Sequence, residues 1–218
     1  MKRLLIFITI TLVPICTYAQ KFYGGVEAGW NISYPTGATN ARSGFNVGVF
    51  GEMIINKHWY ADAALKLTSA PWETKERYFF ENGNADKGVE LTQKATPYSL
   101  QLPLHAGFST ALGNTINLRI AAGPYLGIGL FGTGECEYIT QSPTTESATE
   151  KYSISNIYSD ETYAMKRFEV GIDGRIGIEI STHYLITLGY QYQFNTPVKN
   201  FTPIGRSQVF SLNVGYKF

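Results

Sequence analysis

The residues of this chain able to do chemistry are few: three histidines, two cysteines and a scatter of charged groups. A hydrolase or acyltransferase needs a histidine beside a serine or carboxylate. His58 and His183 fall in short turns, and His105 lies near one end of an extended run, so none is set up for such work. No His, Cys and Asp cluster has zinc spacing, and no glycine-rich phosphate loop or calcium loop is present. Cys16 lies in an amino-terminal apolar run; with that run removed, Cys136 has no disulfide or metal-binding companion and reads as a chance loop residue. These features predict a protein that is not an enzyme and uses no metal or cofactor. The remaining candidates are polar-face residues of alternating segments: Glu27, Glu52, Asp62, Lys66, His105, Arg119, Asp173, Arg175, Glu179 and Lys217. Brought together, they would make either an ion path or a network of paired charges filling an interior.

The elements that position them must be strands. The chain of 218 residues holds 22 glycines, 15 tyrosines and 13 phenylalanines, and 16% of its residues are charged, against about 25% in an average soluble domain. No segment keeps an amphipathic helical period for three turns, whereas two-residue alternation returns again and again. It predicts eight strands of about ten residues, the length a tilted strand needs to cross a bilayer. Their apolar positions begin at Phe22, Phe45, Trp59, Tyr98, Ile116, Phe168, Tyr184 and Phe210.

The amino terminus sets the compartment. Met1-Lys2-Arg3 is a short positive start, an apolar run follows to about Ile15, and Thr17 and Ala19 fit a secretory cleavage site. Residues 1–19 therefore read as a cleaved signal peptide and residues 20–218 as one barrel domain. Ile15 stands before Cys16 where a lipoprotein signal has Gly, Ala or Ser. Eighteen basic against 17 acidic residues give no footprint for nucleic acid.

Alternation does not say which face is inside, since a soluble ligand-carrying barrel would hide its apolar face. Glycines decide it. Gly25, Gly29, Gly48, Gly107, Gly123, Gly171, Gly177 and Gly189 fall on the polar face, where a narrow lumen needs small residues. Phe22, Trp59, Phe108, Tyr184, Tyr216 and Phe218 end the apolar face at one rim, and Trp30, Tyr98, Tyr192 and Phe194 at the other, as aromatic girdles do where lipid meets water. Connections alternate between short ones near residues 56–57, 112–114 and 181–183 and long ones over 33–43, 71–96, 131–167 and 195–206. The expected fold is all-β: an eight-stranded antiparallel up-and-down transmembrane β-barrel with short periplasmic turns and long extracellular loops, in the outer membrane. Pro103 and Pro124 each withhold a ladder donor and predict a bulge or local distortion near them.

Leu100–Leu104, Ala121–Gly127, Arg167–Gly171, Tyr184–Tyr192 and the terminal Leu212–Phe218 together resemble the PorT-like outer-membrane β-barrel family of Bacteroidetes-type bacteria, the small barrels also called a porin family. The likeness runs over nearly all of the chain after the signal peptide. It implies a barrel, a possible role with the type IX secretion apparatus, and recognition of Phe218 by the barrel-insertion machinery.

The long segments are the other candidates. Residues 71–96 interleave Trp72, Tyr78, Phe79 and Phe80 with charges, as a partner-binding surface does; the same aromatics could simply rest on the rim or on lipid. Residues 141–150 form a polar tract expected to be a mobile tip. The expected function is structural, adhesive or secretion-accessory, through envelope or secretion-complex proteins and outer-membrane lipid. The alternatives are a narrow channel for small solutes or a lipid-modifying enzyme.

Overall fold

The structure, a computed structural model, describes residues 21–79, 88–142, 145–159, 165–197 and 205–218. The signal-peptide segment and Phe80 lie outside the described residues. Ten strands form: β1 (Phe22–Ser33), β2 (Arg42–Ile54), β3 (Trp59–Ser69), β4 (Trp72–Phe79), β5 (Gly88–Ala111), β6 (Ile116–Ser142), β7 (Thr145–Ile154), β8 (Phe168–Ile180), β9 (Tyr184–Gln193) and β10 (Gln208–Lys217). Eight of them close a ring in the order β5-β3-β2-β1-β10-β9-β8-β6, with β6 returning to β5. All pairings are antiparallel, including β1 with β10, where Val26 faces Tyr216.

The period-2 pattern sets the two surfaces. On β1, Glu27, Asn31 and Ser33 are buried while Phe22, Val26 and Trp30 are exposed. The same parity holds on β5, where Gln101 and His105 are buried and Leu102, Leu104 and Phe108 are exposed. The interior is therefore polar and the exterior apolar. Added Cβ atoms show how tight that interior is: at Gly107 one would collide with the Tyr60 ring and at Gly123 with the Leu104 carbonyl, while at Gly51 and Gly174 it meets open space.

Two of the expected long loops are instead strands. Beyond the ring, β5 leaves β3 and pairs with β4, from Trp72↔Ala95 to Phe79↔Gly88. Likewise β6 leaves β8 and pairs with β7, from Gly134↔Ile154 to Ser142↔Thr145. The β5–β6 ladder continues through both regions, so β4-β5-β6-β7 stand above the barrel as a four-stranded sheet. The overlooked strands lack apolar alternation because beyond Trp72 and Thr74, which are buried at the base of β4, their side chains are largely exposed; they gain from backbone pairing and cross-strand contacts such as Arg77–Glu90 and Lys151–Glu137 instead. The described residues of the tract 141–150 belong to this hairpin, with Thr140 facing Ala148 and Ser142 facing Thr145.

At Pro103 and Pro124 the expected irregularity takes the form of a local distortion, not a bulge. Pairing lapses for Leu104 and His105 opposite Pro124 and Gly123, but the register is the same on either side. The register shift lies between Tyr98 and Ser99, beside Pro97, and leaves Leu130 as the extra residue of β6.

Candidate functional site

The ring gathers the inward-pointing residues into tiers. Nearest the short turns, Arg119 on β6 bonds both Glu52 on β2 and Glu179 on β8. Lys217 Nζ on β10 donates to the same two carboxylates, at 3.1 Å to Glu52 Oε1 and 2.6 Å to Glu179 Oε2. Two cations and two anions thus close a neutral square. The guanidinium of Arg119 also lies 3.9 Å over the Tyr60 ring, and Lys217 Nζ 5.1 Å over Tyr23.

The next tier centres on His105. Its Nδ1 lies 2.8 Å from Asp62 Oδ1 and its Nε2 3.0 Å from Asp173 Oδ1. Satisfying both contacts takes a doubly protonated ring or a protonated carboxyl, because an ionised carboxylate only accepts. Arg175 bonds Asp62 and stands 3.8 Å from Glu27, and Lys66 Nζ lies 2.8 Å from Glu27 Oε1. The Lys66–Glu27 approach is a charge contact rather than a well-aligned hydrogen bond, since Glu27 Oε1 accepts none. Gln191 ties Asp173 to Gln101 at 2.7 and 3.1 Å. Above lies an amide tier in which Asn46 Nδ2 donates to Asn31 and Asn213, each at 2.8 Å.

All ten charged residues singled out from the sequence are brought into these two charged tiers, nine of them buried and Arg175 nearly so. Tyr60, Gln101, Gln191 and the three asparagines belong to the same interior. Their inward parity was a usable signal, but polar and aromatic side chains without charge give no reason in sequence to be paired with one another. Between the tiers, Glu27, Glu52, Arg119 and Arg175 border a cavity of about 10 Å³, space for about one water. On the short-turn side the lumen widens into a vestibule of about 470 Å³ reaching Glu52, Arg119, Glu179 and Lys217.

The opposite mouth carries an apolar cap. Ala38, Trp72, Ala95, Cys136, Ile157, Tyr158 and Met165 pack together, with Tyr138 and Ile154 against them. Glycines on β6 admit it: a Cβ on Gly132 would sit 2.6 Å from Ile157 Cδ1. Cys136 is thus a buried strand residue, not a loop residue. Trp72, expected at a partner-binding surface, is 2% exposed inside this cap. Of its group, Tyr78 is exposed and bonded to Glu76, and Phe79 ends β4. Burial pushes the Tyr158 phenol above its ordinary value, while neighbouring Glu76 and Glu150 raise Tyr78 and Tyr152 on the protruding sheet.

The outward aromatics cluster at the two rims. At the short-turn rim Trp59 meets Phe108 at 5.4 Å and Tyr216 contacts Tyr184 and Phe218 at 5.4 and 5.7 Å. Phe22 is exposed at that rim. At the other, Tyr98 stacks on Phe131 at 4.8 Å, Tyr192 meets Phe194 at 6.1 Å, and Trp30 is exposed. His58 and His183 stack on Phe108 and Tyr216 at the short turns, each with Nδ1 against a backbone carbonyl.

Comparison with known proteins gives a consistent picture. A family model described as "Outer membrane protein beta-barrel domain" matches residues 18–197. No curated protein matches the chain at a significant level. Similar solved structures include OprG of Pseudomonas aeruginosa, 11% identical with a TM-score of 0.42 over 90% of this chain and 95% of that one. Neisserial surface protein A is 13% identical with a TM-score of 0.41, over 92% and 99%. Ail of Yersinia pestis is 13% identical with a TM-score of 0.36, over 91% and 98%.

Proposed function

The chain belongs to the outer-membrane protein β-barrel family, and from that premise we propose that it works by contact rather than by conduction or catalysis. In this reading the filled barrel is an anchor, and the sheet β4-β5-β6-β7 makes structural, adhesive or secretion-accessory contacts at the cell surface. One observation carries it: β5 and β6 run on past the ring to hold a sheet whose last strand, β7, pairs on one side only among the described residues. An unpaired strand edge offers a row of backbone donors and acceptors to another chain. The resemblance to PorT-like barrels makes a type IX secretion complex one case of this role. Outer-membrane lipid would surround the aromatic rims, and the insertion machinery would read the exposed Phe218.

The test replaces residues 138–150 by Asn-Gly, which joins the paired Glu137 and Lys151 through a two-residue turn. The barrel should still migrate as a compact, heat-modifiable band, while adhesion of cells, or the native mass of the gently extracted complex, falls. Unchanged adhesion and native mass would remove the sheet from the function. The vestibule of about 470 Å³ favours the second reading, a narrow channel. Stable unitary conductance in planar bilayers would decide for it, and sealed bilayers against it.

A further inference from the structure

The lumen carboxylates are not all balanced. Those of Glu27, Glu52, Asp62, Asp173 and Glu179 each have Lys66, His105, Arg119, Arg175 or Lys217 within ion-pair distance. Glu169 is a sixth inward carboxyl, and among the described residues no cation reaches it. Its partners are neutral groups, Gln101 Nε2 at 3.0 Å from Oε2 and the Ser99 hydroxyl. Local sequence makes room for it: a Cβ on Gly127 would lie 2.8 Å from Glu169 Oε2.

The missing charge coincides with a cavity. Glu169 lines a chamber of about 30 Å³ beneath the apolar cap, together with Gln101, Tyr125, Gln191, Gln193 and Trp72. That is space for one or two water-sized particles. Tyr125 is 3% exposed, and its hydroxyl has no hydrogen-bond partner among the described residues. Gly171 leaves the space in which its ring lies, since a Cβ there would be 2.5 Å from Cε1. Tyr125 lines the chamber, so its hydroxyl is placed to meet an occupant there. Lys166 also lines the chamber, but its side chain is exposed and makes no ion pair with Glu169.

We propose that this chamber binds one monovalent cation of sodium, potassium or ammonium size, with the Glu169 carboxylate as counter-charge and the Tyr125 hydroxyl as a further oxygen contact. One carboxylate supplies one negative charge, and the volume excludes a hydrated ion. A divalent ion would leave a net positive charge in the chamber, and magnesium also keeps its waters, so neither calcium nor magnesium fits.

The experiment uses the mature protein refolded in zwitterionic detergent at neutral pH and constant ionic strength. Choline chloride, whose cation is too large for the chamber, is replaced stepwise by sodium, potassium or ammonium chloride while unfolding in urea is followed. The midpoint should rise with the logarithm of concentration for at least one small cation, as binding to the folded state alone requires. The ion giving the largest rise identifies the occupant. Glu169→Gln should abolish the rise without lowering the midpoint in choline. Tyr125→Phe should weaken the apparent affinity about tenfold, the worth of one net contact, while the barrel stays compact on gels. Equal midpoints in all four salts would overturn the site, leaving a proton or another side chain as the counter-charge. A rise that survives Glu169→Gln would overturn it as a general salt effect. A rise seen only in Lys166→Gln would do so by assigning the counter-charge to Lys166.

Discussion

Arg119 joins two carboxylates from β2 and β8 and covers Tyr60, sharing both carboxylates with Lys217. Arg119→Met keeps most of its length and leaves Glu52 and Glu179 to share Lys217. Removing one partner from a buried ion network costs about 3–5 kcal/mol, so the urea midpoint should fall steeply. Adding Glu179→Gln to that variant should recover part of the loss, since the two groups are coupled. Strictly additive losses would mean that the square is not one network. A second residue-scale test concerns facing. Gly123→Ala presses a Cβ against the Leu104 carbonyl and should cost about 1–3 kcal/mol through overpacking. Gly51→Ala, which meets open space, should leave the midpoint unchanged. Equal midpoints for the two variants would contradict a packed polar interior.

At the scale of elements, the β8–β9 turn holds a strained pair. Ser181 and Thr182 adopt φ of 50° and 64°, a region that costs an L side chain about 1–2 kcal/mol and suits glycine. Thr182→Gly should therefore stabilise the barrel by about 1 kcal/mol, measured as a higher urea midpoint with unchanged gel migration; a lower midpoint would show that the Thr182 hydroxyl, bonded to the Ser181 carbonyl at 2.6 Å, matters more. The ring strands were legible in sequence because residues two apart share a face, so Phe45, Val47 and Val49 declare an apolar side outright. Strands β4 and β7 were not legible. Glu73, Lys75 and Arg77 alternate with nothing apolar enough to mark a face, and their pairing is dictated by β5. The candidate site was legible only by face. Parity puts Asp62, His105 and Asp173 inside, but their meeting depends on the stagger among β3, β5 and β8, which no single strand records. Glu169 shows the same limit: its parity matches that of Asp173, yet nothing local reveals that it faces Gln101 rather than a cation.

At the scale of the whole molecule, the insertion role proposed for Phe218 falls on a residue that also takes part in closing the ring, so two separate demands fall on it. Phe218 contributes its backbone to closure, its amide donating to the Gly24 carbonyl at 2.9 Å. Its side chain contributes little to that closure, being 66% exposed and touching only the edge of the Tyr216 ring among aromatic neighbours. Any amino acid but proline can supply the amide, whereas the proposed insertion role depends on the aromatic side chain. Substitution therefore separates the two demands. Phe218→Ser should refold in detergent with a urea midpoint within about 0.5 kcal/mol of the parent, as exposed substitutions do. In cells it should reach the outer membrane at a reduced level, with the remainder degraded in the periplasm. Normal abundance in the outer membrane would show that the machinery does not depend on this side chain. A large fall in the refolded midpoint would show instead that Phe218 is part of the seam between β1 and β10, and that its exposure understates its packing.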